Sequence, residues 1–201
     1  MIKYWKNIRG ECMKNGHWRK ITWVVAALLL IMVTACSNSK FNPNEFSEQD
    51  LAVMKTDSED KITYGMSQEE AEKILGEGTS TGVGQSYQYN NGITIGYRDA
   101  KVVSIILNKD SKGYFKTARG AEAGMTHQEI LDLYGKEHVL VESERNIDYA
   151  YHIQKETFLD EKSLQAEKDD LAIYRASFML TKEGQVNQVI LSDQRFATTF
   201  N

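Results

Sequence analysis

A twelve-residue segment occurs twice in this chain, and it limits the fold more than any other feature. Gly65-Met66-Ser67-Gln68-Glu69-Glu70-Ala71-Glu72-Lys73-Ile74-Leu75-Gly76 aligns with Gly124-Met125-Thr126-His127-Gln128-Glu129-Ile130-Leu131-Asp132-Leu133-Tyr134-Gly135 at an offset of 59. Each copy specifies a short helix. Ser67 and Thr126 stand at N-cap, with Glu70 and Glu129 three residues on. At that spacing the cap hydroxyl and the carboxylate each satisfy the other's backbone N–H. Gly76 and Gly135 end the helices by accepting a left-handed conformation. Ile74 and Leu75, like Leu133 and Tyr134, form the apolar stripe. Two such helices in register argue a duplication.

Strand patterns follow each helix. In the first copy, Ser86–Asn90 and Ile93–Arg98 flank Asn91-Gly92, a two-residue hairpin signal, and Lys101–Asn108 returns after Asp99-Ala100. In the second copy the strands are Asn146–Ile153, Leu171–Leu180 and, after Lys182-Glu183-Gly184, Gln185–Ser192. Ser104–Asn108 matches Gln188–Ser192 at an offset of 84, so the second copy carries an insertion near 154–170. Its Glu, Lys and Asp content predicts a solvated loop or a short exposed helix. The expected fold is α+β: two tandem repeats (62–119 and 120–201) of a short helix plus an antiparallel three-stranded meander. The helices pack on one face of the sheet, and the other face is partly free.

The N-terminus reads as an export leader. Lys14, Arg19 and Lys20 precede the apolar run Ile21–Val33, too short for a membrane span and suited to a signal peptide. Val33-Thr34-Ala35-Cys36 resembles a bacterial lipobox, in which the Cys receives a diacylglyceryl group and becomes the mature N-terminus. That resemblance implies a signal peptide over 1–35, a lipid on Cys36 and an extracytoplasmic, membrane-anchored location. A normal leader begins at Met13, so 1–12 read as an upstream extension. Residues 36–61 are expected to be a lipidated Cys and flexible tether, with room for a short helix near Gln49–Lys55. Removing 1–35 takes away six basic side chains and one acidic one, leaving 18 basic and 27 acidic, a net charge near −9. Such a body is a poor match for nucleic acid.

The repeated Gly-Met-[Ser/Thr]-x-x-Glu helix ending in Gly, followed by a meander and set behind a lipobox, resembles two related groups across roughly 62–193. One is the β-lactamase-inhibitor-like (BLIP-like) lipoproteins and domains of unknown function. The other is the SmpA/OmlA-type envelope lipoproteins. The first implies two tandem units and an open sheet face that grips a protein partner. The second implies an envelope-assembly scaffold, usually with one unit.

For partner binding the candidates are Tyr87, Tyr89, Tyr97, Tyr149, Tyr151 and Tyr174. Tyr87/Tyr89 and Tyr149/Tyr151 alternate, so each pair points to one face. If Ile93, Ile95, Val103, Ile105 and Leu107 fill the core, the rings are left to line the open face, where tyrosine suits an interface. The competing expectation is ordinary core. His127, His138 and His152 show no ligand spacing, so no metal and no cofactor is expected. Asp169-Asp170 and Glu69-Glu70 read as solvated faces. Thr81-Gly82-Val83-Gly84 lacks a following phosphate-binding helix, and no nucleophile, zinc-protease or P-loop motif occurs. The expectation is a non-enzymatic, lipid-anchored protein-binding module. The alternatives are the SmpA/OmlA-type scaffold and a small-ligand receptor or enzyme.

Overall fold

Both capped helices form where the Ser/Thr…Glu spacing puts them. In the computed structural model, which describes residues 41–167 and 170–199, α1 spans Gln68–Leu75 and α2 spans His127–Tyr134. Ser67 N donates to Glu70 Oε2 at 3.0 Å, and Thr126 N donates to Glu129 Oε2 at 2.7 Å. Gly76 and Gly135 follow with φ of 83° and 91°. The leader over 1–35, Cys36 and Asp169 lie outside the described residues.

Among the described residues, twelve short strands make two antiparallel sheets. Strands β1 (Ala52–Lys55), β2 (Lys61–Thr63) and β7 (Phe115–Thr117) form a small sheet ordered β2-β1-β7. The larger, nine-stranded sheet begins with β3 (Thr79–Ser80), β4 (Ser86–Gln88), β5 (Ile93–Arg98) and β6 (Lys101–Asn108). It continues with β8 (Val141–Glu142), β9 (Asn146–His152), β10 (Thr157–Phe158), β11 (Ile173–Leu180) and β12 (Val186–Asp193). Its order is β10-β9-β11-β12-β6-β5-β4-β3, with β8 also on β9. The meanders β4-β5-β6 and β9-β11-β12 therefore meet last strand to last strand, with Ile106 opposite Ile190. The same stitching occurs in each half. Gly65 N donates to Val102 O and Val102 N to Met66 O; Gly124 N donates to Val186 O and Val186 N to Met125 O. The Asn91-Gly92 turn forms with both φ values positive, 58° and 71°.

The core lies on one face of the large sheet. Ile95, Ile105, Leu107, Ile147, Phe178, Val189 and Leu191 from that sheet join Ala71 of α1, Ile130 and Tyr134 of α2, and Val53 and Ile62 of the small sheet. The fold is α+β, with the large sheet open on its other face.

Residues 41–61 are not a tether. Leu51 and Val53 are buried, β1 pairs with β2 and β7, and the expected helix near Gln49–Lys55 is replaced by a 3-10 turn at Glu48–Asp50 and a strand. The physical reason is a charged anchor that composition does not reveal. The buried Arg119 guanidinium pairs with Asp50, donates to the carbonyls of Asn42 (2.7 Å), Leu133 (3.1 Å) and Glu45, and lies over the rings of Phe41 and Tyr134. The insertion carries a short, largely exposed helix, α3 (Glu161–Ala166), of whose six residues only Leu164 is buried. Leu159 and Leu164 pack on Ala150 and Ile173 in a satellite cluster. A last helix, α4 (Gln194–Thr199), folds back over the sheet.

Candidate functional site

The six candidate tyrosines do not form an exposed face. Tyr89, Tyr97, Tyr149 and Tyr174 are buried, and Tyr87 and Tyr151 pack against the same core. Strand parity explains it. Tyr149 and Tyr151 share a face with Ile147, and Tyr174 shares one with Ala176 and Phe178, so rings and aliphatics fill one core together. The hydroxyls are accommodated inside: Tyr89 Oη and Tyr97 Oη are 2.7 Å apart, and Tyr149 donates to Gly135 O at 2.6 Å. Burial pushes the Tyr97 and Tyr149 phenols well above their usual range, so these groups act as hydrogen-bonding core.

What remains uncovered is the opposite parity. Asn146 and Asp148 of β9, Arg175, Ser177 and Met179 of β11, Gln188, Ile190 and Ser192 of β12, and Ile106 of β6 line a trough of about 390 Å³. Phe196 and Ala197 of α4 close one side of it. Phe196 lies over Gly96, where a Cβ would come within 2.4 Å of its ring. Asp193, fully buried, holds α4 in place. It accepts from Phe196 N (2.8 Å), Tyr64 Oη (2.8 Å) and Arg98 (2.6 Å).

Polar groups in and around the trough are not satisfied. Arg175 and Asp148 approach only to 3.7 Å, with side chains 15% and 7% exposed. Asn146 Nδ2 donates to Asp148 Oδ2. Ser104 Oγ, Asn146 Oδ1, Asp148 Oδ1, Arg175 Nε, Ser192 Oγ and Gln194 Oε1 are buried with no hydrogen-bond partner. Those six are all such side-chain atoms among the described residues, and every one lies on this face or where α4 leaves it. Met179, 45% exposed, is the most open apolar side chain of the trough.

Among the described residues one histidine–carboxylate cluster of three occurs, at the far edge of the sheet. His152 Nε2 is 3.3 Å from Asp170 Oδ2 and 3.5 Å from Glu167 Oε2. Those separations are close to a tetrahedral zinc edge, about 3.3–3.5 Å. The hydrogen bonds oppose a cation there. His152 Nδ1 accepts Lys155 N–H at 3.4 Å, which puts the ring proton on Nε2, and Lys155 Nζ already holds both Glu167 oxygens at 2.8 and 2.7 Å. A ligating imidazole needs its lone pair on Nε2 and donates from Nδ1. The cluster reads as a hydrogen-bonded strut for the inserted segment. His127 pairs at 3.3 Å with Glu142, and His138 stacks on Phe158; Glu69 bonds Lys73 on the helix surface.

Neither the trough nor this cluster was singled out from sequence. The signal for the trough was present as alternation: Asn146, Asp148 and His152 interleave with Ile147, Tyr149 and Tyr151. No family model, curated protein or solved structure matches the chain. Among the described residues no helix is long and apolar enough to cross a membrane.

Proposed function

We propose that the chain is a lipid-anchored, extracytoplasmic binding module, without catalytic activity, whose uncovered sheet face receives a protein partner. One observation carries this reading: all six unpartnered buried polar atoms of the described residues gather on and beside that face. Asn146 Oδ1 and Asp148 Oδ1 can only accept and Arg175 Nε can only donate, beside the apolar Ile106, Ile190 and Met179. A partner segment that pairs both kinds of group, through a carboxamide side chain or a peptide group on an apolar stem, relieves both deficits.

The halves are read as one duplicated helix–meander unit. The offsets of 59 and 84 and the recurring backbone bonds at Gly65/Gly124 and Val102/Val186 support that reading. Two units behind a lipobox favour kinship with the BLIP-like lipoproteins over an SmpA/OmlA-type scaffold. A small-ligand receptor is the second reading, favoured by a cavity volume within the ordinary range for such sites, about 300–1,000 Å³.

The test places a photo-reactive residue at Met179 or Gln188, with Asp132 on α2 as control, in the native envelope. A discrete protein adduct from both trough positions and none from Asp132 supports the module. Absence of adducts, or the same adducts from Asp132, refutes it.

A further inference from the structure

A second hollow, about 500 Å³, lies outside the trough and is built from four separate chain segments. Its walls are Asn44, Glu45 and Phe46 of the docked N-terminal segment, His138 of the loop after α2, Tyr151 of β9, and Glu156, Thr157 and Phe158 of the β9–β10 hairpin. The rings form one cluster. Tyr151 and Phe158 meet edge to face at 5.1 Å, Phe46 lies 5.7 Å from Tyr151, and His138 stacks on Phe158 at 4.4 Å. Two carboxylates stand at the rim, and no lysine or arginine lines it. Two of the walls also hold strained backbone: Asn44 and Glu156 are non-glycine residues with φ of 63° and 50°.

The chemistry of the lining selects one class of ligand. Aromatic faces carry negative quadrupole density and attract a cation placed over them. Glu45 and Glu156 add formal negative charge at the same mouth, and residues 36–201 carry 27 acidic against 18 basic side chains. An anion would face both carboxylates, and a purely apolar ligand would leave them to be desolvated for nothing. We infer that this hollow binds an organic cation: the ammonium or guanidinium of a basic side chain, or a free quaternary ammonium. Tyr151 and Phe158 present ring surface, and Glu45 and Glu156 supply charge. The site is separate from the trough, so it stands or falls independently of the proposed module function.

The experiment titrates the full chain in maltoside micelles and follows backbone amide shifts. The probes are choline and its neutral carbon isostere 3,3-dimethylbutanol, then acetyl-arginine amide and the neutral acetyl-citrulline amide. Saturable shifts confined to 44–46, 138, 151 and 156–158 are expected, with each cation at least about fivefold tighter than its neutral counterpart. A preference for the arginine probe identifies a protein-borne cation, and a preference for choline identifies a free one. Glu156→Gln leaves the backbone as it is and should weaken the cations severalfold without changing the weak neutral binding. Tyr151→Leu should do the same by removing the ring. Equal affinity for cations and isosteres, shifts elsewhere, or no saturable shift overturns the assignment.

Discussion

Two arginine–aspartate pairs in this molecule are built from the same groups and are treated in opposite ways. Arg119 and Asp50 are almost wholly buried, and the Arg119 donors reach Asp50 and three backbone carbonyls. Arg175 and Asp148 are nearly as enclosed but stand 3.7 Å apart, with Arg175 Nε and Asp148 Oδ1 unpaired. The first pair locks residues 41–51 onto the core. The second leaves unused hydrogen-bonding capacity on the sheet face opposite α1 and α2, between the parts of it that α3 and α4 cover. A buried charge that is fully paired serves the fold, whereas one held half-paired at a cavity wall is available to a group from outside the chain.

The sharpest way to break that contrast is Arg119→Met. It strands Asp50 and should cost about 3–5 kcal/mol in denaturant unfolding. Hydrogen exchange at Asn44, whose N–H is held by Tyr134 O, should accelerate with it. The double change Asp148→Leu/Arg175→Leu should behave oppositely. Replacing an ill-satisfied pair by apolar side chains is expected to be neutral or to stabilise by about 1–4 kcal/mol, while abolishing cross-linking from Met179. A large destabilisation there would mean that the second pair is structural after all.

Gly96→Ala tests the cover on that face. Its Cβ would meet the Phe196 ring at 2.4 Å, so a loss of about 1–3 kcal/mol is expected, relieved in combination with Phe196→Ala. Ala100, at φ 55° in the Asp99-Ala100 turn, offers a local reference away from both pairs. Ala100→Gly should stabilise by about 1 kcal/mol in the same unfolding assay.

The smallest effect concerns acid. Hydrogen bonds from Ser67 and Thr126 hold the Glu70 and Glu129 carboxyls below their usual range. Their contribution is therefore present above the unfolded-state value and lost as pH falls through the lower folded-state value. Glu70→Gln with Glu129→Gln should flatten the acid limb of stability against pH, leaving the Arg119 anchor intact at neutral pH.

Local chemistry was legible wherever neighbours in sequence are neighbours in space. A capping box joins residues three apart, and a hairpin turn joins adjacent ones. Ser67 with Glu70, Thr126 with Glu129, and Asn91-Gly92 could therefore be read directly, as could the α+β pattern of short helices and antiparallel strands. Residues 41–51 looked like linker because their composition is polar. The partner that orders them, Arg119, is 69 residues from Asp50. Strand alternation sorted side chains into two sets without saying which set would be covered. Tertiary packing assigned the tyrosine-bearing set to the core, because α1, α2 and the small sheet all dock on that side. The same choice left Asn146, Asp148, Arg175 and Met179 facing outward. Period-two patterning is symmetric between faces, and only the long-range placement of the helices breaks that symmetry.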